Sequence, residues 1–170
     1  PNRRVEAWHY TDLRRLLSSV PDHDPTAKAV APAPLLSGAT TLPLLGGRSE
    51  LPKALPEGLA VRRIEEMLLT GELNAYLGQA DGADAVGAIN SAFAADGVAI
   101  DVAAGVALEA PVEIQNVHAG GQTHTRHVVS VGEGANATFV ERQTGTTDAL
   151  VSSVSHLTVG DGAEVLWVIL

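Results

Sequence analysis

Two segments of this chain nearly repeat one another: VGEGANATFV, from Val131 to Val140, and VGDGAEVLWV, from Val159 to Val168. Their first residues lie 28 positions apart, and a fainter copy, VAAG, begins at Val102, 29 positions before Val131. Each unit joins a β-branched, apolar run to a glycine turn, so successive units can pair strand on strand and stack turn on turn. From Gly97 to Leu170 short runs of this kind alternate with glycine punctuation, and no helical period is visible. The period predicts the opening turns of a β-helix, with a closed barrel or sandwich as the rival arrangement.

The rest of the chain is compatible with a folded domain around that core. Its 170 residues are 45% hydrophobic and 18% charged, a composition that buries a core and does not belong to a disordered chain. A net charge of −9 is the wrong sign for a nucleic-acid surface, so no nucleic-acid partner is expected. The arginine pairs Arg3 with Arg4, Arg14 with Arg15 and Arg62 with Arg63 read as solvated faces. No apolar run approaches the roughly 20 residues of a membrane span. The polar, aromatic start of the chain also lacks the apolar stretch of a secretory signal, so no membrane contact and a cytoplasmic location are expected. There is no cysteine, which excludes disulfides, thiolate nucleophiles and cysteine ligation of zinc or an iron–sulfur cluster by this chain. The chain starts at Pro1 and stops in the apolar run Trp167 to Leu170. Unpaired strand edges would follow from such a stop. A fragment truncated at its C-terminus is therefore expected, with a homodimer through the open β edge as a further way to cover that surface.

Residues 1–96 read as an N-terminal helical or mixed subdomain, and 97–170 as the start of the β core. Thr11 is placed to cap a short helix from Asp12 to about Ser18, with Leu13, Leu16 and Leu17 as its apolar stripe. Trp8 and Tyr10 are expected to pack against a neighbouring element. The proline- and alanine-rich stretch 21–34 reads as a linker, and His23 within it as solvent-exposed. Leu42 to Leu45, the Gly46-Gly47 turn and Arg48 to Leu51 predict two short strands, with Pro43 favouring an edge. Gly46-Gly47 lacks the frame of a phosphate loop. A helix is expected over Val61 to Leu77, with Ile64, Met67 and Leu68 on one face and Gly71 as a C-cap. Asp84 is expected to cap a second helix, with Ala85, Ile89, Ala92 and Phe93 as its stripe and Asn90 as a packing or hydrogen-bonding position, ending at Asp96-Gly97.

In the β region Val98, Ile100 and Val102 alternate, as do Val112 and Ile114. His127, Val129 and Val131 share a face, as do Phe139 and Glu141. The stretch from His118 to His127, with Glu133 and Glu141 downstream, looks the most chemical. Imidazoles with a carboxylate on a small β scaffold bind divalent metals, as in cupin barrels. His124 and His127 differ by three, however, so on one strand they face opposite ways, and His124 would have to precede the strand in a loop. Ser152, Ser153 and Ser155 lie beside His156 without a nucleophile elbow, and neighbours along a strand do not make a triad. The residues themselves assign no catalytic, cofactor-binding or metal-binding position, and no enzyme is expected.

The string RRVEAWHYTDL, from Arg3 to Leu13, holds Glu6, Trp8, Tyr10, Thr11 and Leu13 in the order E-x-W-x-Y-T-x-L. It resembles the opening signature of SufD-like members of the SufB/SufD family, subunits of the SUF system for iron–sulfur cluster assembly. The resemblance continues at Leu55 to Val61, at Ile89 to Phe93 and on to Ile100, at Gly105, at Pro111 to Ile114 and at His127 to Val131. It implies an N-terminal helical region, a right-handed parallel β-helix and a C-terminal helical domain, of which this chain would be the N-terminal part. It also implies two partners. One is a SufB-like subunit met through the β-helix ends; the other is a SufC-like ABC ATPase met through the missing C-terminal region. The family's clusters are assembled transiently by the whole complex, near a SufB cysteine and a late SufD histidine. No residue here matches that histidine motif, so no ligand is carried over and no cofactor is expected in this fragment. The absence of cysteine suits a subunit whose partner supplies the thiolates.

The expected function is a non-catalytic scaffold subunit of the SUF assembly complex. The alternatives are a cupin-like metal-binding β protein using His124, His127 and Glu133 or Glu141, and a bare β-solenoid interaction module.

Overall fold

The computed structural model of the chain describes residues 15, 17–19, 28–77, 84–145 and 149–170. Most of the helix expected over 12–18 lies outside them, as do Trp8, Tyr10, His23 and the first part of the expected linker. The protein is mainly β with a few short helices. Strands β1 (Thr40–Leu45), β2 (Arg48–Ser49) and β3 (Leu59–Arg63) come first. Helices α1 (Ile64–Thr70), α2 (Asn74–Leu77) and α3 (Ala85–Phe93) follow. The chain then runs through β4 (Asp96–Val102), β5 (Val112–His118), β6 (Gly121–Val131), β7 (Asn136–Gly145), β8 (Ala149–Val159) and β9 (Glu164–Ile169).

Two mixed sheets result, ordered β2-β1-β5-β7-β9 and β3-β4-β6-β8. The pairs β1/β2 and β3/β4 are antiparallel; β1/β5, β4/β6, β5/β7, β6/β8 and β7/β9 are parallel. From β4 onward consecutive strands alternate between the sheets, so each pairs with the strand two further on. The register follows the repeat in the sequence: Val102 lies beside Val131, Val131 beside Val159 and Asn136 beside Glu164. The turns stack as well. Gly105 N–H donates to Glu133 O (2.8 Å), and Gly134 N–H donates to Asp161 O (2.9 Å).

The two glycines of each V-G-x-G-A unit serve different needs. A Cβ on Gly132 would lie 2.5 Å from the Ala104 nitrogen in the turn beneath, and one on Gly160 would lie 2.5 Å from the Glu133 nitrogen. These first glycines allow close approach of stacked backbones. The second glycines, Gly134 and Gly162, adopt φ of 65° and 66°, the left-handed region that costs a side chain most.

Alternate residues of the strands meet between the sheets. Leu42, Leu44, Val98, Ile100, Val112, Ile114, Val129, Val131 and Phe139 form one apolar core, with Trp167 packed on Phe139 at 5.1 Å between ring centroids. A smaller cluster on the opposite face of β4 and β6 joins Ala99 and Val128 to Ile64, Met67 and Leu73 beneath α1.

The N-terminal half is built differently from its expected helices. Leu59 to Arg63 is a strand, because it pairs with β4 from Leu59 beside Val102 to Arg63 beside Val98, and the helix starts only at Ile64. Gly71 caps it as expected, with φ 80° and its N–H on Leu68 O. Leu68, expected on the buried face, is 43% exposed, since so short a helix seats only Ile64 and Met67. In α3, Asp84 is the N-cap, its Oδ1 accepting from Gly87 N–H at 2.9 Å. The buried positions there are Gly87 and Asn90, whereas Phe93 is 64% exposed. The β surface beneath that helix offers a guanidinium and backbone carbonyls, which call for a polar and a small residue.

The short strands around Gly46-Gly47 form as expected, but Pro43 is not on the edge strand. Its strand lies between β2 and β5. On the β2 side Pro43 contributes only its carbonyl, which accepts from Glu50 N–H (2.8 Å), and β2 is too short to require its missing N–H. The boundary drawn between residues 96 and 97 falls at the first step of β4, and β1 to β3 extend the two sheets that 97–170 builds.

Candidate functional site

The strands that supply the core turn polar along their length. On β5 the inward series Val112, Ile114 continues as Asn116 and His118; on β7, Ala137 and Phe139 are followed by Glu141 and Gln143; on β6, Val131 and Val129 are preceded by His127 and Thr125. All but Gln143 are buried, and Gln143 is half-buried. On β8 the corresponding positions are Ser153 and Ser155, beside Thr125 and His127 in the register.

Glu141 is the centre of this region. Its Oε1 accepts from Ser153 Oγ (2.9 Å), Gln143 Nε2 (3.0 Å) and Asn116 Nδ2 (3.3 Å). Its Oε2 has a longer contact, 3.5 Å, with Ser155 Oγ. His127 Nε2 stands 3.8 Å from Oε1, too far for a hydrogen bond, and neither of its ring nitrogens has a partner. Burial pushes the His127 imidazole down to about 4, outweighing the Glu141 carboxylate, which pulls the other way. The ring is therefore neutral at pH 7, and the two residues are not an ion pair. His118 Nε2 meets Gln143 Oε1 at 2.9 Å; burial lowers the pKa of this ring too, against that hydrogen bond. A cavity of about 540 Å³ opens beside these groups, lined by His118, Glu141, Gln143, Ser153 and Ser155 with Val151 and Ile169.

Of the residues considered for a metal, the structure joins only two. His127 and Glu141 face each other, whereas His124 lies within β6, not in a loop before it, and packs on Phe93 at 5.6 Å between centroids. His124 lines a separate cavity of about 270 Å³ with Arg48, Glu65, Asp96 and Gln122, and burial lowers its pKa. Glu133 is exposed in the turn after β6. Among the described residues no three of His, Asp and Glu gather closely enough to hold a metal ion. The serines also divide. Ser153 and Ser155 contact Glu141, Ser152 contacts Asn90, and His156 packs edge-on against Tyr76 at 5.0 Å.

Two further polar clusters join residues that the sequence pattern does not connect. Asn90, fully buried, donates to Thr125 O (2.9 Å) and Ser152 O (3.1 Å) and accepts from Arg126 Nε (3.2 Å). Arg126 in turn donates to Tyr76 O (2.6 Å) and Ser91 Oγ (2.8 Å). On the outer face of β5 and β7, Glu113 Oε2 accepts from Leu35 N–H (2.8 Å), Gln115 Nε2 donates to Pro32 O (3.2 Å), and Arg142 Nη1 donates to Ala33 O (3.1 Å). The end of the expected linker is thus tied down across a sheet. The alternation of β5 and β7 identifies which side chains share a face, but not which segment covers it. No protein-family model matches this chain, and no curated protein matches its sequence.

Proposed function

We propose that the chain is a non-catalytic scaffold subunit for iron–sulfur cluster assembly, of the SufD-like kind in the SufB/SufD family. Strands that alternate between two sheets and pair in parallel at a step of about 28 residues carry the reading, because the resemblance at Glu6 to Leu13 implies such a stack. In this reading β4 to β9 are the first coils of a right-handed parallel β-helix, and β1 to β3 with the helices close one side of it. The partners are a SufB-like subunit at the β-helix end and a SufC-like ABC ATPase bound through the family's C-terminal domain. ATP-driven movement of the ATPase shifts the paired β-helices and exposes the assembly site, in the cytoplasm. The cluster is cargo of the complex, its thiolate ligands come from the partner, and this chain supplies rigid coils.

Co-expression of the full-length gene product with its SufB-like and SufC-like neighbours, followed by size-exclusion chromatography, tests this. One co-eluting complex is the expected result. Failure to bind either partner would overturn the scaffold reading. The cupin-like alternative has the His127–Glu141 pair in its favour, and a stoichiometric metal lost in His127→Ala would support it.

A further inference from the structure

We propose that residues 30–35 are an exchangeable arm, through which two copies of this chain pair by each seating its arm on the other's β5 and β7. The seat is already filled within one copy. Glu113 Oε2 accepts from Leu35 N–H (2.8 Å), Gln115 Nε2 donates to Pro32 O (3.2 Å) and Arg142 Nη1 donates to Ala33 O (3.1 Å). Gln115 Nε2 also donates to Glu113 Oε1 (2.9 Å), which holds the carboxylate in position for the arm. Glu113 and Gln115 are each 1% exposed, so this polar face is built to be covered.

The arm itself is lightly held. Its side chains, from Val30 to Leu35, carry no polar group, and all but Pro32 are exposed. Its polar attachment therefore rests on bonds to its main chain, and nothing in them requires arm and seat to belong to one copy. The arm joins β1 through residues 36–39, a turn closed by Ala39 N–H on Leu36 O (3.2 Å). Gly38 in that turn has φ 78° and open space around it, a pivot from which the arm can swing outward. Swinging out admits water to Glu113, Gln115 and Arg142, which offsets their lost bonds until a second arm arrives. Seating on a second copy makes the same bonds twice and closes a two-fold pair. Pro32 and Pro34 suit the arm to this exchange. They keep it extended before it seats, so little conformational freedom is lost in either copy. They also fix its register, because sliding by one residue or by three would set Pro34 or Pro32, with no N–H, against Glu113.

Shortening the turn tests this without another protein, and so independently of the scaffold reading. Within one copy the arm competes at an effective concentration of about millimolar, so the unaltered chain should keep its own arm seated at micromolar concentration. Deleting residues 36–38 removes roughly 10 Å of reach and leaves each seat to the arm of a second copy. Analytical ultracentrifugation should then show a dimer whose dissociation constant lies about tenfold or more below that of the parent. Adding Leu35→Pro, which removes the N–H given to Glu113, should return the parent's value. Association through the strand edges of β8 and β9 would not respond to that change. A synthetic peptide of residues 28–36 keeps the test open if the deletion variant fails to fold. At millimolar concentration it should shift the amide resonances of Glu113, Gln115 and Arg142 in the unaltered chain, and the same peptide carrying Leu35→Pro should not. The proposal is overturned by a folded deletion variant that stays monomeric, by a dimer that survives Leu35→Pro, or by a peptide that leaves those resonances unmoved.

Discussion

At the scale of single residues, the paired glycines of the repeat make a prediction that separates two kinds of constraint. Gly134→Ala meets no atom within 4 Å but must hold a φ of 65°, and should cost roughly 1 to 2 kcal/mol. Gly132→Ala would drive a methyl against the Ala104 backbone at 2.5 Å, and should cost roughly 3 kcal/mol by forcing the stacked turns apart. Urea unfolding midpoints of the two variants should fall in that order. His127 makes a second prediction, about pH. The unfolded chain takes up this proton near 6.5, whereas the folded one resists until about 4. Between those values the unfolded state binds more protons, so stability is full above about 6.5 and falls as pH is lowered towards 4. His118 and His124, lowered by burial, act in the same direction. Denaturant titrations at stepped pH should show this slope, and His127→Gln should flatten it.

At the scale of elements, α3 is held less by an apolar stripe than by Asn90, which ties it to β6 and β8. Removing that amide takes away the partner of Arg126 Nε, of the buried Thr125 carbonyl and of the half-buried Ser152 carbonyl, so Asn90→Ala should destabilise by about 3 kcal/mol. Amide hydrogen exchange should then accelerate first across 85–93 and 149–154, where the lost bonds lie. Helical periodicity selects Ala85, Ile89, Ala92 and Phe93 as the stripe of this helix, because it ranks residues by hydropathy and not by what they will face. Asn90 itself was legible as a position needing partners; Arg126, 36 residues away, was not. The same holds for β3. Leu59 and Val61 alternate like a strand, yet the run into Ile64 and Met67 also fits a helix, and only the presence of β4 alongside selects the strand for the first part.

Across the whole molecule, the two sheets depend on one shared core. Phe139 is fully buried at the centre of it and touches Trp167 on the next strand of its sheet. Phe139→Ala should cost about 3 to 5 kcal/mol, enough to threaten a marginally stable domain. Tryptophan fluorescence and far-UV dichroism should lose their transitions together, at a lower denaturant concentration than in the parent. Separate transitions would mean that the sheets unfold independently.

The period of the chain, its glycine turns and the inward alternation of β4 to β7 were determined by the sequence alone. They are local: a strand exposes alternate side chains, and a turn demands glycine, whatever lies nearby. The Glu141 network, the neutrality of His127, the separation of His124 from it and the docking of residues 32–35 were decided only by tertiary structure. Each depends on residues distant in sequence being brought into contact by the packing of the two sheets and the segments laid against them. Desolvation of His127, in particular, comes from the closing of one sheet over the other and has no signature in its neighbours along the chain.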